Sequence, residues 1–224
     1  MSTIKSGKFQ SDREGENLRS WNNVAEAYER GFMDLDLYND SYDFFLKSLE
    51  NQSAEILEIG CGPGNITRYL LSKCPELKIL GIDTAQNMID LAIKNVVSAD
   101  FIVMDARKID GLKKTFDGIV CGFCIPYLSE KDTSEVLQNC SDKLNPNGIL
   151  YLSFVEGMPE NSGYITGSTN DRMYFQYHSK ESIQKEMQKN KMEVFKEFRK
   201  NYQKADGSSE IHIIVLGKKA QFIK

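Results

Sequence analysis

Ile56-Leu57-Glu58-Ile59-Gly60-Cys61-Gly62-Pro63-Gly64-Asn65 is the stretch that decides how this chain folds. A short apolar run meets glycine at every second position, and the residues from Asn65 to Lys73 then take up helical spacing. A buried strand, a tight turn and a helix follow from that order. Glycine in such a turn lets the backbone bend where a Cβ atom would clash, and lets a ligand approach the main chain. An ordinary strand-to-helix turn often needs one glycine and seldom three. The nicotinamide fingerprint Gly-x-Gly-x-x-Gly fails at its last position, where Asn65 stands, so a pyrophosphate binder is disfavoured.

On the carboxyl side the alternation repeats. Lys78 to Ile82 is an apolar run, Ala85 to Val97 a helix and Asp100 to Met104 another run. Gly118 to Cys124 is again apolar, Glu130 to Leu144 is a helix capped by Ser129, Asn145-Pro146-Asn147-Gly148 a turn, and Ile149 to Val155 a strand. Strands alternating with helices imply a parallel sheet covered on both faces. Glu156 to Asp171, rich in Gly, Ser and Asn, reads as a mobile loop. Met173 to Tyr177 follows, then a helix Lys180 to Lys189 capped by Ser179. Two closing strands, near Glu193 to Arg199 and Ile211 to Leu216, flank the hairpin signal Asp206-Gly207-Ser208-Ser209. Ahead of the sheet, Ser20 to Met33 and Leu35 to Leu49 read as helices, the second with the stripe Leu37, Phe44, Phe45 and Leu49.

Size and charge narrow the functions. A chain of 224 residues with 41% hydrophobic content suffices for one substantial core. Its 28 basic and 32 acidic side chains leave a net charge of -4, which gives no broad attraction for a phosphate backbone and disfavours a nucleic-acid partner. Met1 to Asn17 is polar without the apolar run of a signal peptide, and no stretch approaches the ~18 apolar residues of a membrane span. Five cysteines, Cys61, Cys74, Cys121, Cys124 and Cys140, fit reduced thiols better than a disulfide framework. The expectation is a soluble, cytoplasmic protein with no membrane partner; the oligomeric state stays open, a homodimer included.

With Glu58 ahead of its glycines, the loop resembles the first motif of class I S-adenosylmethionine-dependent methyltransferases. The order of later motifs carries that resemblance across residues 55 to 155, with a family-like tail out to Leu216. It implies an α/β, Rossmann-like, seven-stranded and mostly parallel sheet with a closing antiparallel hairpin and helices on both faces. It also implies N-terminal lid helices over residues 1–50 ahead of an S-adenosylmethionine-binding domain over 51–224, together one compact unit. The cofactor implied is S-adenosylmethionine, held by Gly60, Cys61, Gly62 and Gly64, with Glu58 near its methionine end. Asp83, after Gly81-Ile82, stands where a carboxylate accepts hydrogen bonds from both ribose hydroxyls, since an ionised acid offers acceptors only. Thr84 and Met88 resemble the residues flanking the adenine ring; plain core packing is the other reading of Met88. Asp105, closing Phe101-Ile102-Val103-Met104-Asp105-Ala106, resembles the acceptor of the adenine amino group, with the Ala106 amide beside it. Asp100 and Asp110 are alternatives that do not end the strand. Thr115-Phe116-Asp117 matches the family's opening of the fourth strand, at whose end Gly122 and Phe123 would face the methionine end. Ala85 stands where the family commonly has Ser or Thr, which removes a helix cap.

Trp21 to Tyr28 resembles the lid helix of small-molecule members, whose tyrosine lies close to the sulfonium; Tyr28 reads equally as core. Tyr127 and His178 are the other candidates for acceptor contact. His178 also reads as a boundary histidine fixing a helix entry, and His212, between Ile211 and Ile213, as structural. Cys121-Gly122-Phe123-Cys124 has the spacing of a redox pair, but the next helix starts near Glu130, too far on to acidify a thiol. No cysteine has a histidine at ligand spacing, so no metal is expected. Cys124-Ile125-Pro126-Tyr127 replaces the Asn-Pro-Pro-Tyr of DNA-acting members, which argues against base methylation. Methyl transfer from a sulfonium needs alignment and water exclusion rather than a dedicated nucleophile. The expected activity is therefore transfer to an O, N or C atom of a small-molecule acceptor, enclosed by the lid helices and the loop Glu156 to Asp171. A cofactor-binding sensor or partner subunit without transferase activity is the second expectation.

Overall fold

A computed structural model describes residues 3–167, 170–204 and 206–219, with side chains from Arg13 onward. Met1 and Ser2 of the polar start, and Ser168 and Thr169 of the stretch read as a loop, lie outside the described residues.

The strands are β1 (Glu55–Ile59), β2 (Lys78–Asp83), β3 (Asp100–Val103), β4 (Phe116–Gly122), β5 (Leu144–Val155), β6 (Gly163–Thr166), β7 (Arg172–Phe175), β8 (Met192–Gln203) and β9 (Ser209–Lys219). Seven of them form one sheet in the order β3-β2-β1-β4-β5-β9-β8. β1 to β5 run parallel, while β9 inserts antiparallel between β5 and β8. The strand order thus turns back beside β1, the place where open α/β sheets bind ligands off their carboxyl ends. The helices are α1 (Thr3–Phe32), α2 (Asn39–Ser48), α3 (Asn65–Lys73), α4 (Gln86–Asn95), α5 (Glu130–Lys143) and α6 (Lys180–Lys189). The expected Rossmann-like sheet with its closing antiparallel hairpin is the architecture observed. Among the described residues no helix is long and apolar enough to cross a membrane.

Alternation along the strands sends successive side chains into two cores. Ile56 packs with Phe45, Leu70, Ile89 and Tyr151 on the side of α2, α3 and α4. Its neighbour Leu57 packs with Val136, Leu137, Cys140 and Val215 on the side of α5 and α6. The caps read from sequence are formed: Ser129 Oγ accepts from the Asp132 amide and Ser179 Oγ from the Ser182 amide, both at 3.1 Å. Gly207 takes φ +84° in the hairpin between β8 and β9, where Asp206 accepts from the Ser208 amide at 2.9 Å.

Four expectations are corrected. The first helix begins at Thr3 rather than Ser20. Where its side chains are described, Glu14 meets Arg107, Glu16 meets Arg172 and Asn17 meets Tyr174, polar contacts that leave no apolar stripe there to read. The second starts at Asn39, later than Leu35. Between Glu156 and Asp171 the chain is not a plain loop, because β6 pairs antiparallel with β7. Such a ribbon, with most of β6 exposed, leaves no period-two pattern to read. Finally, β5 starts at Leu144 and includes the Asn145-Pro146-Asn147-Gly148 turn, Leu144 pairing with Phe116 ahead of a register irregularity.

Candidate cofactor and acceptor site

The glycine loop leaves β1 strapped to the end of β2: the amides of Gly60 and Cys61 both donate to the Ile82 carbonyl, at 2.8 and 3.0 Å. Gly60, Gly62 and Gly64 all have positive φ, +69°, +52° and +85°, a region that favours glycine. A Cβ on Gly60 would meet the Cβ of Cys124 at 3.0 Å, whereas beside Gly62 the nearest atom is Cε1 of Tyr28 at 3.6 Å. The loop therefore presents bare backbone to a space roofed by Tyr28. Beneath it Glu58 is buried, one oxygen accepting from the Thr67 hydroxyl and Oε1 without a hydrogen-bond partner. Burial pushes its carboxyl up to about 8.

Asp83 ends β2 beside the loop. Its Oδ2 accepts from the Gly62 amide at 3.0 Å and its Oδ1 from the Ala85 amide at 2.9 Å, while the cap that Ala85 cannot supply comes from Asn22, whose Oδ1 accepts from the Asn87 amide at 3.0 Å. Burial raises its pKa against the pull of these amides. Asp105 caps the short helical turn Ala106–Gly111 and is gripped by Arg107, whose Nε lies 3.0 and 3.1 Å from its two oxygens. Burial pushes Asp105 up, but Arg107 outweighs it and holds the carboxyl below its ordinary value. Arg107 also reaches Glu14 of α1 at 2.5 Å.

One cavity of about 760 Å³ joins the glycine loop, Asp83 and Asp105, while Glu58 is buried beneath the loop and is not part of its wall. Gly60, Gly62, Asp83, Thr84, Met88, Asp105, Ala106, Gly122, Phe123, Tyr28 and Tyr127 all line it. Cys61 is buried, and Gly64 packs against Val96 and Ala92 as the entry to α3. His178 is buried away from the cavity wall, with its ring against the Ile125 carbonyl at 3.2 Å. Sequence reasoning missed Arg107, Tyr38, Tyr202 and His212, which also line the cavity. His212 sat in a strand pattern that signals packing, and nothing local marks its neighbour Tyr38. The hydrogen bond with Cys121, together with burial, pushes the Cys124 thiol up, the reverse of what a redox nucleophile needs.

Residues 56–148 match the family described as "Methyltransferase domain". The chain is 29% identical over 160 residues to a demethylmenaquinone methyltransferase of Thermotoga maritima, covering 67% of this chain and 65% of that protein. It is 34% identical over 105 residues to a malonyl-[acyl-carrier protein] O-methyltransferase of Bacillus anthracis, covering 46% of this chain and 38% of the relative. It thus spans less than two thirds of either curated relative. The crystal structure of a SAM-dependent methyltransferase from Methanosarcina mazei superposes with a TM-score of 0.70 at 20% identity, covering 84% of this chain and all of that one, and shows a shared fold. Residues 56–148 thus match the methyltransferase-domain family, and the chain shares its fold with S-adenosylmethionine-dependent methyltransferases. Its residues fit that family's cofactor on three counts. Gly62 leaves room where a side chain would intrude, Glu58 keeps a buried oxygen unpartnered beneath the loop, and Met88, Met104 and Ala106 supply an apolar wall next to Asp83.

Proposed function

We propose that the chain transfers the methyl group of S-adenosylmethionine to an O, N or C atom of a small-molecule acceptor. The observation that carries this reading is the cavity of about 760 Å³ lined by the glycine loop, Asp83 and the aromatic side chains Tyr28, Tyr38, Phe123 and Tyr127, a volume suited to metabolite-sized molecules. Both curated relatives are named as methyltransferases, one for demethylmenaquinone and one for malonyl-[acyl-carrier protein].

The cofactor supplies an activated methyl group on a cationic sulfur. In this reading Gly60, Cys61, Gly62 and Gly64 bring backbone to it, and Asp83 accepts from the ribose hydroxyls with the lone pairs its amides leave free. Thr84 and Met88 flank the adenine, which the Ala106 amide meets at its edge. Asp105 faces the adenine amino group by trading part of its contact with Arg107. Glu58 faces the methionine end with Gly122 and Phe123. Tyr28 and Tyr127, each edge-on to Trp21 at 5.4 and 4.9 Å, hold the acceptor. His178 serves that role indirectly, by fixing Ile125 next to Tyr127. The helices of residues 1–50 act as the lid over the domain of 51–224 and exclude water, tied to β7 by Asn17. The unpaired cysteines support a reducing, cytoplasmic setting.

The test is incubation with methyl-labelled S-adenosylmethionine and a fractionated cell extract. Label is expected in the small-molecule fraction. Label in protein or RNA overturns the acceptor class, and cofactor binding without any label favours a binder that has no transferase activity.

A further inference from the structure

We propose that Tyr38, His212 and Glu210 form a proton relay that ionises a hydroxyl of the acceptor, and that the acceptor is a flat conjugated ring carrying that hydroxyl. The proposal rests on the transferase reading above and names its substrate class.

Tyr38 Oη lies 2.7 Å from His212 Nδ1, and His212 Nε2 lies 3.7 Å from Glu210 Oε2. Hydroxyl, imidazole and carboxylate stand in the order that general-base catalysis uses, and all three line the cavity. β9 places His212 opposite Val155, at the carboxyl end of β5, where ligands of this fold sit. Phe123 joins it to the cofactor end. Held in the left-handed region at φ +52°, with its amide donating to Ser153 Oγ at 3.0 Å, Phe123 lays its ring 4.8 Å from His212 and 5.2 Å from Tyr38. Strained backbone of this kind concentrates at functional sites.

Packing alone does not account for the trio. His212 Nε2 is buried with no hydrogen-bond partner, a desolvation cost that a phenylalanine in the same stack would not carry. The groups facing the imidazole are Tyr38 from the segment before α2, Tyr202 and Lys200 from β8, Phe123 after β4, and Glu210 on its own strand. Lys200 is engaged by Asp40 at 2.7 Å, and Lys204 by Glu210. Burial pushes Glu210 up, but His212 and Lys204 outweigh it and hold it below its ordinary value, so it faces the imidazole as an anion. Burial also raises Tyr38, so the phenol passes a proton on rather than remaining ionised.

The ring class follows from the walls. Tyr202 stacks on His212 at 4.9 Å and 14°, and Tyr28 on Phe32 at 4.4 Å and 22°. Conjugation also makes a hydroxyl acidic enough for an imidazole to ionise, which an aliphatic alcohol is not. In the step, the acceptor's O–H proton passes to Tyr38 Oη as the Tyr38 proton passes to His212 Nδ1. The freed electron pair, on oxygen or on a conjugated ring carbon, bonds to the methyl carbon. The S–C pair stays on sulfur, turning the sulfonium into a thioether, and the imidazolium, stabilised by Glu210, returns its proton to water.

Tyr38 is the residue that touches the acceptor; His212 and Glu210 are positioning residues. The experiment first measures S-adenosylhomocysteine binding by calorimetry, then titrates 4-nitrophenol into that complex and follows phenolate absorbance against pH. Ionisation of the bound probe is expected about one pH unit or more below that of the free probe. Tyr38→Phe, which keeps the ring, and His212→Asn are each expected to abolish the shift while leaving S-adenosylhomocysteine binding intact. A probe that does not bind, or that binds without the shift, overturns the proposal, as does a shift that persists in both variants. Absence of S-adenosylhomocysteine binding fails the transferase reading instead, so the two are told apart.

Discussion

Glu58 is where the cost of the site is concentrated in a single residue. The carboxyl lies beneath the glycine loop with one oxygen on Thr67 and the other unpartnered, and burial lifts it to about 8 from an ordinary 4.5. Below 4.5 both the folded and the unfolded chain hold the proton. Between 4.5 and 8 the folded chain keeps a proton that the unfolded chain has released, so stability falls as pH rises through that window. Glu58→Gln removes the dependence. Thermal unfolding of the variant is expected to match the wild type near pH 4.5 and to exceed it at pH 8 by a few kcal/mol, the order set by ~1.4 kcal/mol per pH unit. Parallel pH profiles for the two proteins would remove Glu58 as the cause. The identity of Glu58 was legible, because an acid before a glycine loop belongs to a recognisable pattern. Its burial, and the grip of Arg107 on Asp105, were not, since both depend on packing partners far along the chain.

At the scale of elements, α1 and the β6–β7 hairpin form the cover, and Asn17 is their joint. Its Nδ2 donates to the Tyr174 carbonyl at 3.1 Å and its Oδ1 accepts from the Tyr174 amide at 2.7 Å, so one side chain completes a strand-like pairing with β7. Ser20 adds a bond to the Arg172 carbonyl at 2.7 Å. Asn17→Ala breaks two bonds at once, with an expected local loss of about 1–3 kcal/mol. Hydrogen exchange should show faster opening of α1 and β7 with the central strands unchanged, and S-adenosylhomocysteine should slow that opening. Equal exchange in variant and wild type would mean that the cover is held by other contacts. Little of this cover could be read. Helix α3 and helix α6 begin and end where spacing and caps place them, at Asn65–Lys73 and Lys180–Lys189, because their buried stripes follow the helical period. From Arg13 to Ser20, α1 meets the hairpin through polar pairs and through the Arg13 guanidinium over the Tyr174 ring, which leave no period.

Across the whole molecule the cavity has two authors. The stretch 56–148, matched by the methyltransferase family, supplies the loop, Asp83, Asp105 and Phe123. Segments outside it supply Tyr28, Tyr38, Tyr202 and His212. The first set is continuous in sequence, each residue at the end of its own strand, and a reader of motifs finds it. The second is assembled only when β9 inserts between β5 and β8 and carries His212 to Tyr38, which no local pattern announces. On this division, changes at Tyr38 or His212 alter acceptor handling, and changes at Asp83 alter cofactor binding. Calorimetry with S-adenosylhomocysteine on wild type and Asp83→Asn tests the central claim most directly. One-to-one binding by the wild type is expected, weakened at least about tenfold in the variant, the scale of a lost charged hydrogen bond. No heat of binding from the folded wild type, or equal affinity in the variant, would contradict it.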